Sequence, residues 1–141
     1  MLCGKYVQNM DSKNRILMPV KLREELGEPF VLARDIREKC IKVYSLAGWQ
    51  SYIAPLEKLE RKTAEKIMRS LYSTMAQIRP DNQGRITLPQ ELVDFAGITG
   101  GSAMVVGCGT YAEIWSESVY NAMTAEEDLS EILRVLEEQG L

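Results

Sequence analysis

One phrase occurs twice in this chain, and that repetition constrains the fold more than any other feature. Asp11-Ser12-Lys13-Asn14-Arg15-Ile16-Leu17-Met18-Pro19 returns seventy residues later as Asp81-Asn82-Gln83-Gly84-Arg85-Ile86-Thr87-Leu88-Pro89, with Leu22 answered by Leu92 and Gly27 by Gly97. A shift of seventy-one, after a one-residue insertion, brings Val43-Tyr44-Ser45 and Trp49 onto Ile114-Trp115-Ser116 and Tyr120. Self-similarity at a fixed period marks a duplicated structural unit. The chain has 141 residues, so each half is close to the size at which a lone hydrophobic core becomes marginal. The two halves are therefore expected to fold together.

Local rules predict the same elements in each half. Short strands are expected over residues 4–8 and 73–78, followed by the Asp loop and by β-prone residues 15–18 and 85–88. Strand, tight loop and strand in succession read as a hairpin. Pro19 and Pro89 stop the second strand and suit the first turn of a helix, expected over 21–26 and 90–95 and closed by Gly27 and Gly97. Two further hairpins are expected from 30–33 with 40–44 and from 103–107 with 111–115. Gly107-Cys108-Gly109-Thr110 is then a hairpin turn and not a phosphate loop, since no helix opens after it.

Between the halves, Leu56, Leu59, Ile67, Met68, Leu71 and Tyr72 form one stripe of an expected connecting helix packed against the body. The tail repeats that logic, with Leu129, Ile132, Leu133 and Leu136 set among Glu126, Glu127, Asp128, Glu131, Glu137 and Glu138. The expected organisation is a first unit at 1–53, a connecting helix at 54–72, a second unit at 73–120 and an acidic amphipathic helix at 121–141. The class is α+β, mainly β.

Several functions are excluded by what the chain lacks. It has no histidine, which removes Ser-His and Cys-His nucleophile systems and the usual zinc sites. Cys3, Cys40 and Cys108 are too few and too scattered for a disulfide framework or a metal knuckle. No apolar run approaches the ~18 residues that cross a bilayer, and the first residues show no secretory leader, so a cytoplasmic protein is expected. Asp11 and Asp81 as a catalytic or metal-binding carboxylate pair is disfavoured, because each has an arginine four residues on that favours its ionised form. No enzyme, cofactor, metal or small-molecule substrate is expected.

The net charge of -3 is unevenly divided. Residues 1–45 hold nine Lys/Arg against six Asp/Glu, 46–115 hold seven of each, and 116–141 hold one against seven. A local basic face still attracts polyanions, because exposed charges beyond ~8 to 10 Å are screened at physiological salt.

The four-residue step from Asp to Arg has a plain structural use: an Asx side chain accepts backbone N–H groups and holds a turn, with Asn14 or Gly84 at a position of positive φ. That use leaves Lys13, Arg15, Lys21 and Arg23 around the first copy unexplained, with Lys5 and Arg34 in neighbouring elements. An arginine at a loop-to-strand junction presents its planar fork to phosphate oxygens or to guanine in the major groove, which is wide enough for a two-stranded ribbon. The second copy, with Arg79, Asp81, Arg85, Glu91 and Asp94, is nearly neutral, so the first hairpin is expected to make the tighter contact. Trp49, Trp115, Tyr111 and Tyr120 fall at corresponding places in both halves, and packing is the expected role over base stacking.

Asp11-x-Lys13-x-Arg15-Ile16-x-x-Pro19 followed by Lys21-x-Arg23-Glu24, the second Asp81-x-x-Gly84-Arg85-Ile86-x-x-Pro89, and Glu113-Ile114-Trp115-Ser116 together resemble the MraZ family, bacterial DNA-binding regulators built from two AbrB-like units. The likeness spans nearly the whole chain, and the doubled motif makes it specific. It implies a swapped-hairpin β-barrel with two units per chain, a ring-shaped homo-oligomer, and binding of short repeated double-stranded DNA boxes upstream of the division and cell-wall gene cluster, hence nucleoid association. The family's Asp and Arg map to Asp11, Arg15, Asp81 and Arg85, and Asn14 departs from the usual glycine. The rival is an AbrB-like antitoxin-type module that caps a protein partner.

Overall fold

Each copy of the repeated phrase folds into the same succession of strand, turn, strand and short helix. The computed structural model of the protein describes residues 1–141. The first half contains β1 (Lys5–Asn9), β2 (Arg15–Leu17), α1 (Val20–Leu26), β3 (Phe30–Arg34) and β4 (Ile41–Ser45), and the second β5 (Ala76–Ile78), β6 (Arg85–Thr87), α4 (Gln90–Ala96), β7 (Ser102–Gly107) and β8 (Ala112–Ser116). Between them run α2 (Leu46–Glu57) and α3 (Arg61–Thr74), and α5 (Glu117–Ala125) and α6 (Leu129–Glu138) close the chain. Pro19 and Pro89 hold near-identical extended ψ values of 137° and 138° at the N-caps of α1 and α4. Their fixed φ ends the strand and aims the chain into the helix.

The strands do not pair as local hairpins around the Asp turns. β2 pairs antiparallel with β6, β1 pairs with β7, and β5 pairs with β3, so each repeat gives its N-terminal strands to the other. A lone two-stranded hairpin is marginal in water. Crossing over instead places Ile16, Met18 and Leu22 of one copy with Ile86, Leu88 and Leu92 of the other in a single core of 19 buried residues. The swapped arrangement and the mainly β, mixed α+β class agree with expectation; the local hairpins at residues 4–18 and 73–88 are replaced by this exchange. The β3–β4 and β7–β8 hairpins form as expected.

The exchange gives the chain an internal pseudo-two-fold axis. The larger sheet has the order β1-β7-β8-β4-β3-β5, which reads the same from either edge when repeats are interchanged. At its centre Lys42 faces Glu113, its counterpart at a shift of seventy-one, and the Lys42 Nζ lies 3.6 Å from Glu113 Oε2. Two identical residues there would bring like charges together. The duplicated positions instead carry opposite ones, with the ammonium also 3.6 Å from the Tyr111 ring centroid.

Two further expectations are corrected. The single connecting helix is two helices, because α2 starts directly after β4 with Ser45 Oγ accepting from the Gly48 N–H at 2.9 Å, and α3 starts anew at Glu60, whose carboxylate accepts from the Lys62 and Thr63 N–H groups. A helix N-cap of this kind defines a new start. Leu71 is fully buried and Ile67 and Met68 pack on the small cluster of Val31, Tyr44 and Trp49, whereas Leu59 and Tyr72 stay about half exposed. The tail stripe does not pack on the body: α6 has no buried residue. Trp49 and Trp115 are buried, and the edge-on contacts of Trp49 with Tyr72 and of Trp115 with Tyr120 are packing contacts. No helix is long and apolar enough to cross a membrane.

Candidate nucleic-acid interface

The two Asp turns are built by the same bonds. Asp11 Oδ1 accepts from the Lys13 and Arg15 N–H groups, both at 2.9 Å, and Oδ2 accepts from Arg15 Nε at 2.8 Å. Asp81 repeats this with Gln83 and Arg85, at 2.9 Å throughout. The backbone N–H of the following arginine, more than any other influence, holds each carboxyl below its ordinary pKa. The position before each arginine has positive φ, 58° at Asn14 and 81° at Gly84. The plain structural reading of the motif is therefore fulfilled in both copies.

That same bonding fixes the arginines for another use. Each carboxylate engages only Nε, and the terminal Nη groups of Arg15 and Arg85 have no partner in the chain. The side chains are 29% and 33% exposed, enough for both forks to be reached from outside. Alternation along a strand sends neighbouring side chains to opposite faces. Ile16 and Ile86 point into the core, and Arg15, Leu17, Arg85 and Thr87 form the outer face of the β2–β6 ribbon. The two arginines thus sit diagonally on one composite ribbon, not on two separate hairpin tips.

The turns are locked across the pseudo-axis. The Met18 N–H donates to the Gly84 carbonyl at 3.0 Å, and the Leu88 N–H to the Asn14 carbonyl at 2.8 Å. Arg23 Nε donates to the Met18 carbonyl at 2.9 Å, and its guanidinium lies against Gly84 so closely that a Cβ there would stand 2.8 Å from Cζ. At the opposite end Asn14 Nδ2 donates to Gln90 Oε1, and Gln90 Nε2 to Asp94 Oδ1, both at 2.8 Å.

These contacts redistribute the charge that a reading along the chain assigns. Arg23, from the first copy, serves the second turn, while Gln90 and Asp94, from the second copy, serve the first. The difference in charge between the two turns is thereby reduced to Lys13 in the first against neutral Gln83 in the second. Lys13 and Lys21 are exposed as expected, but Arg34 is occupied elsewhere, donating to Ser70 Oγ and lying 5.7 Å from the Phe95 ring centroid. Leu17, Thr87 and Gln90 join the surface only through cross-repeat pairing, for which single-copy patterns carry no signal; the shift of seventy was the one available clue.

Comparison with known proteins places the chain. The family model described as "MraZ protein, putative antitoxin-like" matches residues 1–70 and again 71–134. A protein named transcriptional regulator MraZ from Caldicellulosiruptor bescii is 37% identical over 145 residues, covering 100% of both chains. Its namesake from Clostridium tetani is 35% identical over 144 residues with the same full coverage. The one from Acetivibrio thermocellus is 33% identical over 132 residues, 92% of this chain and 91% of that one.

Proposed function

The chain belongs to the MraZ family, and on that premise we propose that it is a DNA-binding regulator of transcription that presents the β2–β6 ribbon to double-stranded DNA. The observation that carries this reading is the pair of carboxylate-anchored arginines, Arg15 and Arg85, whose free Nη groups share one outer face. Anchoring through Nε holds each planar fork at little further entropic cost, which suits bidentate contact with phosphate or with guanine O6 and N7. Three residues per strand make the ribbon ~10 Å long, a size compatible with the ~12 Å major groove. Lys13 and Lys21 supply sequence-independent attraction to phosphates.

The finer reading is that several copies assemble into a ring and engage short repeated boxes upstream of the chain's own operon, in the division and cell-wall gene cluster. Weak single ribbons then gain ~10² to 10⁴ in avidity. A footprint on the DNA upstream of its own gene, with the native chain and with Arg15→Ala, tests this. Protection of evenly spaced boxes that disappears in the variant supports the reading; unspaced or unchanged protection overturns it. The antitoxin-type reading draws on the exposed apolar stripe of α6 and is favoured if a small toxic protein co-purifies with the chain.

A further inference from the structure

The apolar stripe of α6 has no cover within the chain. Leu129, Ile132, Leu133 and Leu136 are 73%, 46%, 55% and 41% exposed, at the spacing that puts all four on one face. Asp128 caps the helix by accepting from the Ser130 N–H at 3.0 Å. Arg134 is taken up by Glu131 and Glu138, each at 2.6 Å. The stripe is therefore an ordered, preformed apolar ridge with an acidic rim of Glu127, Asp128 and Glu137. A contiguous exposed apolar surface rimmed by charge marks an interaction site.

The complementary surface lies on α3. Arg61, Lys62, Lys66 and Arg69 are all exposed there, and the helix's one acidic residue, Glu65, is paired with Arg61 at 3.1 Å. Between Arg61 and Arg69 a groove of about 470 Å³ opens over Leu59, Ala64 and Met68, at the junction with α2, with Glu57 and Glu65 also on its wall. Lys62 and Lys66 add positive charge on the same exposed helix outside that lining. From Arg61 to Met68 is seven residues, ~10 Å of helix, the same length as the stripe from Leu129 to Leu136. Phosphate has no use for the apolar floor of that groove, and acidic α6 repels DNA.

We propose that α6 of one copy docks its apolar ridge into the α2–α3 groove of a second copy, its carboxylates facing the α3 cations. The contact joins different patches on the two partners, so it leaves a free ridge and a free groove at the ends of any chain of copies, and closes only as a ring. It rests on the self-assembly proposed above and names the surfaces that make it. Opposite charge on the two rims fixes register and speeds encounter, and the apolar centre supplies affinity.

The test uses the full chain without DNA, with mass measured by light scattering and sedimentation. Leu133→Asp disables the ridge, and Arg61→Glu with Arg69→Glu disables the groove; all three residues are exposed, so circular dichroism is expected to stay native. Each variant alone should weaken assembly by roughly 30-fold or more. Mixing the two should restore a single contact, ridge of the second on groove of the first, and give a particle of two copies that grows no further. Assembly of either variant like the native chain overturns the contact. So does a groove variant that assembles normally and, in a separate titration with duplex DNA, loses only DNA affinity, which would make α3 a DNA surface. A native chain that is monomeric at all concentrations overturns the self-assembly reading itself.

Discussion

Ile16 lies directly opposite Ile86, its own counterpart in the repeat, at the centre of the β2–β6 ribbon. Both are 1% exposed, and the pseudo-two-fold axis passes between them. The residues on either side of the pair, Arg15 and Leu17, face Thr87 and Arg85, so the packing that joins the halves also sets the two arginines on one surface.

Truncating either isoleucine should therefore weaken the whole chain. Ile16→Ala and Ile86→Ala are each expected to cost ~2 to 5 kcal/mol, read from urea unfolding as one cooperative transition. Because the two sites meet, the double variant should depart from additivity by ~0.5 to 3 kcal/mol. Separate transitions for the two halves would contradict the shared core.

Gly84 and Asn14 occupy equivalent positions with unequal tolerance. Gly84→Ala should destabilise by ~1 to 3 kcal/mol, since it adds a Cβ at positive φ and against the Arg23 guanidinium. Adding Arg23→Ala should recover part of that loss. Asn14→Gly should leave thermal stability almost unchanged, because glycine accepts that backbone freely and the bond to Gln90 is exposed.

Exchange of charge at the larger sheet's axis tests the second symmetric pair. Lys42→Glu should place two carboxylates opposite each other and cost ~3 kcal/mol or more in unfolding free energy, given that both side chains are about 15% exposed. Lys42→Glu combined with Glu113→Lys should restore most of it.

DNA binding should depend on Arg15 and Arg85 to a similar degree. Each Arg→Ala change is expected to lower affinity by ~1 to 3 kcal/mol and to reduce the salt slope by about one phosphate equivalent. Equal losses in titrations at several salt concentrations would follow from the cross-repeat placement of Arg23 and Asp94. A much larger loss for Arg15 would restore the asymmetry read along the chain.

The turns should survive mild acid. Asp11 and Asp81 have folded pKa values lowered by backbone N–H donors, so their contribution is complete above the unfolded carboxylate pKa and fades as pH falls through the lower folded value. Stability from these groups should be level from pH 5 to 8 and decline only below about pH 4. Asp81→Asn, followed by unfolding at pH 7 and pH 3, should shrink that difference.

Much of this was legible in the chain because it is local chemistry. The Asp turn, the positive φ before each arginine, the prolines that start α1 and α4, and the β3–β4 and β7–β8 hairpins each depend on residues within a few positions of one another. The doubled phrase also announced two related units that need each other. The break between α2 and α3 is hidden in the sequence by an apolar stripe running through residues 56–72, although the cap that restarts the helix at Glu60 is local.

Which partner β1, β2, β5 and β6 meet was decided only in three dimensions. The sequence by itself determined the strands, the twin turns and the arginines they hold, since side chain and backbone there satisfy each other at short range. The tertiary structure alone decided that β2 leaves its neighbour β1 for β6, that Arg23 covers Gly84, and that Arg15 and Arg85 share a face. The physical reason is burial: neither short strand can hide its isoleucine within its own repeat, and pairing the two copies removes both from water at once.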